Sequence, residues 1–206
     1  MKKVLYISNI QVPYRVTFFN QLAEQCDLTV LYECSKAGAR NKTWAGSIKE
    51  NYKAIFLDGI NVGNESSFSL NILKYICGDY DVIVLGCYNT PLQMFANLFL
   101  RMIRKPFIVN FDGEIFVENN SFKSRMKKFF INGGTRYVVA GEKSAESVRK
   151  ILKYNKKVIP YYFSSLTTAE IHNNAKNVWG GGTGKICACG WTIFSLQRNG
   201  YCRRSC

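Results

Sequence analysis

VLYISNIQVPYRVTFFNQLAEQ, Val4–Gln25, begins as an apolar run that stops at Ser8 and passes through a short turn. It then becomes an amphipathic stretch in which Val16, Phe19, Leu22 and Ala23 fall on one helical face. A strand that runs through a tight turn into a helix is the opening unit of a nucleotide-handling α/β domain. The turn itself, Asn9-Ile10-Gln11-Val12-Pro13-Tyr14-Arg15, holds no glycine. The G-x-G-x-x-G pattern that lets a backbone approach a dinucleotide pyrophosphate is therefore missing, which argues against a nicotinamide-dependent oxidoreductase.

The same alternation continues outward from this stretch. DLTVLYE (27–33), YKAIFLD (52–58), DVIVLG (81–86), PFIVNFDGE (106–114), TRYVVAGE (135–142) and KKVIPYY (156–162) read as strands. DVIVLG is apolar throughout, as a strand buried on both faces of a parallel sheet must be. Helical patterns lie between: SLNILKYICGDY (69–80), a helix from Thr90-Pro91 to about Ile103, SFKSRMKKFFIN (121–132) stopping at Gly133-Gly134, and KSAESVRKILKY (143–154). Thr90-Pro91 supplies a capping hydroxyl followed by proline at the first helical position. The expected fold class is α/β, a doubly wound parallel sheet (Rossmann-like) in one domain, residues 1–172. After His172 the periodicity stops, and residues 173–206 read as an irregular tail.

The chain has 206 residues, 47% of them hydrophobic, which is enough for a sizeable core. Its formal charge of +14 calls for an anionic partner: nucleic acid, a membrane surface or a phosphate-rich substrate. Nucleic acid is disfavoured because the aromatic residues follow core periodicity instead of alternating with basic ones on an open face. Met1-Lys2-Lys3 precedes an apolar run too short for a secretory signal, and no stretch approaches the roughly 18 uncharged apolar residues a spanning helix needs. The expectation is a cytoplasmic chain, peripheral at the membrane face. Cys26, Cys34, Cys77 and Cys87 sit among apolar neighbours, as buried free thiols do. Cys187, Cys189, Cys202 and Cys206 crowd the tail without a common zinc spacing, so no metal site is expected. Gly180-Gly181-Gly182-Thr183-Gly184-Lys185 is followed by Ile186 and preceded by no strand, which removes the phosphate-loop reading.

In an open parallel sheet, ligands bind beyond the carboxyl ends of the strands. There the first strand delivers Pro13, Tyr14 and Arg15, DVIVLG delivers Asn89, PFIVN delivers Asp112, Gly113 and Glu114, and YVVA delivers Glu142 and Lys143. Arg15 reads either as a solvated charge or as an anion contact; a cation in a first helical turn opposes the helix dipole and needs a compensating reason. Asp112-Gly113 reads as a turn former or a ligand contact, and Glu142 and Ser144 as helix-start residues or ligand contacts. His172, the sole histidine, lies where the pattern breaks and is not taken as a catalytic base. On Phe122-Lys123-Ser124-Arg125-Met126-Lys127-Lys128-Phe129-Phe130, the residues Phe122, Met126, Phe129 and Phe130 share a face, with Lys123, Arg125, Lys127 and Lys128 around them. This is either an ordinary helix packed on the sheet or a basic helix resting on anionic lipid, where each cation contributes about 1 kcal/mol.

NIQVPYRVTFFNQLAEQCDLTVLY (9–32), GCYNTPLQMFANLFLRMIRKPFIVNFDGE (86–114) and AGEKSAESVRKI with VIPYYFSSLT (140–151, 158–167) resemble the N-terminal half of bacterial family 4 glycosyltransferases. The resemblance runs from Met1 to about His172 and is strongest at Pro13-Tyr14-Arg15, Phe18-Phe19-Asn20, Tyr88-Asn89-Thr90-Pro91 and Asn110-Phe111-Asp112-Gly113. It implies a GT-B fold and a retaining, nucleotide-sugar-dependent transferase of surface polysaccharide assembly, such as capsule, needing no metal or other cofactor. It also implies an N-terminal domain that holds a sugar or lipid-linked sugar acceptor, with Arg15 facing acceptor or donor phosphates and Asp112 or Glu114 accepting from sugar hydroxyls. A complete enzyme of this kind has two domains of about 150–200 residues each. The expectation is thus a truncated acceptor-domain fragment, inactive alone, missing its donor-binding domain, with a frame shift near Asn173 to Gly180 producing the tail. The alternative is a non-enzymatic, membrane-associated binding module that pairs with a separate donor domain.

Overall fold

A computed structural model describes residues 1–33, 49–62, 66–113 and 122–162. The first strand, β1 (Lys3–Ser8), turns Leu5 and Ile7 to one face and Val4 and Tyr6 to the other, all buried. The helix after it, α1 (Pro13–Ala23), begins two residues before Arg15, because Pro13 at its first position is already set for helical φ. Next come β2 (Asp27–Tyr32), β3 (Lys53–Phe56) and a small antiparallel hairpin of β4 (Ile60–Asn61) and β5 (Ser67–Phe68). The helix expected over 69–80 shrinks to α2 (Ile72–Ile76). Then follow β6 (Val82–Leu85), α3 (Pro91–Met102), β7 (Ile108–Phe111), α4 (Phe122–Ile131), β8 (Arg136–Ala140), α5 (Glu142–Ile151) and β9 (Lys157–Tyr161). Thr90 caps α3 as its sequence predicts, its hydroxyl accepting from the Gln93 amide at 3.3 Å.

Seven strands form one parallel sheet in the order β3-β2-β1-β6-β7-β8-β9. The chain moves outward from β1 through β2 to β3, returns to β6 on the other side of β1, and moves outward again. The winding reverses between β1 and β6, where Val4 lies between Leu28 and Val82. Helices cover both faces, as a doubly wound sheet requires. On one face Leu5, Ile7, Ile83 and Leu85 pack with Ile72 and Ile76 of α2, Leu92, Ala96 and Leu100 of α3, Ile131 of α4, and Ala145 and Val148 of α5. On the other, Val4, Tyr6, Val30 and Tyr32 pack around Phe19 of α1. Met1–Tyr161 form one compact unit. The second unit, Tyr162–Cys206, is described only at Tyr162, so the expected domain end at 172, the irregular tail, His172 and the four tail cysteines lie outside the described residues.

Two lysines close helix ends in the same way. Lys105 Nζ donates to the Ile76 and Gly78 carbonyls at 3.0 Å each, beyond α2, and Lys156 Nζ donates to the Asn132 and Gly134 carbonyls at 2.7 Å each, beyond α4. The last carbonyls of a helix have no partner within it, and a cation there also meets the negative end of the helix dipole. Lys156→Met removes two charge-assisted bonds and is expected to cost about 2 kcal/mol, read as a lowered urea midpoint at unchanged slope.

Two expectations need correction. Cys77, expected among buried thiols, is exposed at the end of α2, while Cys26 is buried and Cys87 half-buried. Phe130, expected on the lipid-facing side of α4, is 5% exposed and belongs to the interior. The inward arc of α4 is Ser124, Phe130 and Ile131; Phe122, Met126 and Phe129 face solvent. A side chain at position 130 lies most of a right angle from the 122–126–129 line, which is enough to carry it under the helix.

At the outer edge of the sheet among the described residues, β9 contains Pro160. The Gly141 amide donates to the Tyr161 carbonyl at 2.9 Å, so the peptide groups of Tyr161 face β8. By alternation those of Pro160 face outward, where proline offers no N–H.

Candidate functional site at the switch point

The carboxyl ends of β1, β6, β7 and β8 lie at one edge of the sheet because all four strands are parallel neighbours. Asn9–Arg15, Asn89, Asp112-Gly113 and Glu142-Lys143 therefore share that rim. Glu114 lies outside the described residues. In the first turn Ile10 and Val12 are buried as anchors, leaving Pro13, Tyr14 and Arg15 half-buried at the crevice.

Arg15 is the centre. Its guanidinium pairs with the Asp112 carboxylate and reaches Ser8 Oγ at 3.5 Å. Burial would lower its pKa, but Tyr6, Asp112 and Tyr14 together outweigh that and raise it. Here is the compensation that a cation in a first helical turn requires. Asp112 Oδ1 accepts from the Tyr161 hydroxyl at 3.0 Å and from Asn110 Nδ2 at 3.3 Å, and Asn110 Nδ2 also donates to the Tyr6 hydroxyl at 2.5 Å. Burial pushes the Tyr6 and Tyr161 hydroxyls upward, so both remain protonated donors. Close approach of β1, β6 and Arg15 depends on Gly86: a Cβ there would lie 2.7 Å from the Ile7 carbonyl oxygen and 3.3 Å from an Arg15 guanidinium nitrogen.

The other predicted residues are placed nearby without joining this cluster. Asn89 is exposed in the turn between β6 and α3. Glu142 is exposed and paired with Arg149 of its own helix at 2.7 Å, and Lys143 is exposed beside it. Ser144 is buried. Sequence reasoning missed Tyr6, Asn110 and Tyr161, although a polar asparagine inside the apolar run Phe107–Phe111 was a usable signal.

Glu33, at the end of β2, was missed as well. It is fully buried, and its Oε1 accepts from Thr90 Oγ1 at 2.6 Å and Gln93 Nε2 at 2.8 Å, while Oε2 has no partner among the described residues. Burial raises its pKa to about 7, against the pull of the two hydrogen bonds. Through Gln93, whose Oε1 accepts from the Cys87 amide at 2.8 Å, Glu33 ties β2 to the turn that carries Asn89. Cys87 is pushed up by burial and by Glu33.

Among solved structures, HepE of Anabaena, determined in complex with UDP and glucose, superposes on 87% of this chain with a TM-score of 0.53 and 12% sequence identity. The likeness is one of fold. This chain spans half the length of that structure. No family model matches the sequence, and no curated protein matches it.

Proposed function

We propose that this chain is the acceptor-side domain of a retaining, nucleotide-sugar-dependent glycosyltransferase of surface polysaccharide assembly, of the family 4 type. The observation that carries the reading is the polar cluster of Arg15, Asp112, Asn110 and Tyr161 at the switch point of a sheet whose fold is shared with a protein solved with UDP and glucose. The proposed contacts with acceptor or donor further include Pro13, Tyr14, Asn89, Gly113, Glu114, Glu142 and Lys143. In such a crevice the protein contributes by positioning the acceptor and stabilising the leaving phosphate. A donor-binding domain completes the cleft, so the chain alone is expected to transfer no sugar. Incubation with a panel of nucleotide-sugars and a lipid-linked acceptor tests this: turnover by the chain alone refutes the fragment reading.

A second reading, a membrane-associated module that pairs with a separate donor domain, has its own observation. Leu98, Met102 and Ile103 at α3 and Phe122, Met126 and Phe129 on α4 are exposed, and Arg101 of α3 lies over the Phe129 ring at 4.3 Å, linking the two helices. Lys123, Arg125 and Lys128 are exposed on the same helix. Among the described residues no helix is long and apolar enough to cross a membrane; in this reading the exposed face rests on lipid. Removing Lys123 and Lys128 together withdraws about 2 kcal/mol of attraction, about thirtyfold in affinity. Sedimentation with phosphatidylglycerol vesicles reads the loss, and native binding that ignores added salt would exclude the electrostatic part.

A further inference from the structure

The sugar-handling reading leaves open whether Arg15 receives a phosphate or a sugar ring. Arg15 is already neutralised: its guanidinium engages Asp112, and it also reaches Ser8 and bonds the Tyr14 side chain. Asp112 is the more exposed partner, with 31% of its side chain accessible against 11% for Arg15. An entering anion thus meets the carboxylate before the cation, and like-charge juxtaposition is strongly unfavourable. Hydroxyl groups have no such difficulty. They donate to a carboxylate and accept from a guanidinium, which here stand side by side.

The surroundings suit a polyol as well. Tyr161 brings a hydroxyl to Asp112 and its ring tilts against Phe18 with centroids 5.8 Å apart. Asn110, 3% exposed, has a buried side-chain oxygen with no donor among the described residues. At Gly113 and Gly141, where β7 and β8 end, an added Cβ would meet nothing within 4 Å among the described residues. Donors and acceptors alternate, an aromatic plane stands by, and the net charge of the pair is zero.

We propose that the Arg15–Asp112 pair is a subsite for the hydroxyls of an uncharged sugar ring, with Asp112 as the residue that excludes phosphate. Arg15 then acts as the clamp that fixes Asp112. This rests on the sugar-handling reading of the rim and narrows it to a substrate class.

The test uses the full chain, isotopically labelled, with amide and Arg15 Nε–H resonances followed during separate titrations with glucose, inorganic phosphate and UDP. Glucose is expected to shift Asp112 and Gly113 in the native chain, and phosphate is expected to leave Arg15 unmoved. In Asp112→Asn, phosphate affinity at Arg15 is expected to rise about tenfold or more, and glucose affinity to fall about tenfold. Phosphate or UDP occupying Arg15 in the native chain overturns the inference and leaves the glycosyltransferase reading standing. A rim unmoved by all three ligands overturns both. The comparison of glucose with phosphate in the native chain decides the matter even where the variant does not fold.

Discussion

Replacing Glu33 with glutamine is expected to stabilise the chain relative to the native one by an amount that grows with pH. The difference should increase by about 2 kcal/mol between about pH 5.5 and pH 8, measured by urea unfolding at each pH. In the native fold burial pushes the Glu33 carboxyl up to about 7 from its ordinary value of 4.5. A carboxyl with a raised folded pKa binds protons more tightly in the fold than in the unfolded chain. Its contribution is full below the unfolded value, declines as pH rises, and is gone above about 7. Glutamine keeps the shape and an acceptor for Thr90 Oγ1 and Gln93 Nε2 but does not titrate. The titratable neighbour of Glu33 among its described partners is Cys87, itself held protonated by burial and by Glu33, so it does not reverse the sign. A difference between the two chains that stays constant with pH would show that Glu33 is ionised throughout.

Gly86→Val is expected to cost about 3 kcal/mol or more, and to disturb Arg15 as well. The Gly86 amide donates to the Ile7 carbonyl at 2.8 Å, which brings the end of β6 against β1. A Cβ at 86 would stand 2.7 Å from that carbonyl oxygen and 2.9 Å from the Tyr6 ring, so backbone would have to move in the centre of the sheet. Gly113→Ala, on the same rim, meets nothing within 4 Å and is expected to change stability by about 0.5 kcal/mol or less. Equal losses at the two positions would mean that the close approach of β1 and β6 is not what Gly86 provides.

Much of the architecture was legible because its signals are local. The apolar run of DVIVLG marked a strand buried on both faces, and Thr90-Pro91 marked a helix start; both hold. The β4–β5 hairpin was invisible because two-residue strands carry no alternation. α2 is shorter than its pattern, since Gly78 and the turn around it end the helix after Ile76. The rim could be listed from the ends of strands, but its chemistry could not. That Arg15 faces Asp112 depends on β1 and β7 being separated only by β6, which is a fact of strand order. Tyr6 and Asn110 looked like interior strand residues, and interior they are; their function comes from standing beneath a charged pair. Phe130 shows the opposite failure: it was grouped with Phe129 although the helical period carries it most of a right angle away from the 122–126–129 line and into the interior.

The outward face of Pro160 has a consequence for how this sheet meets other chains. A strand laid along β9 would find its hydrogen-bond ladder interrupted at the fourth residue of a five-residue run, with the positive charge of Lys157 at its start. Sheet-to-sheet polymerisation from this side is therefore discouraged by the backbone itself, whatever covers the rest of the molecule.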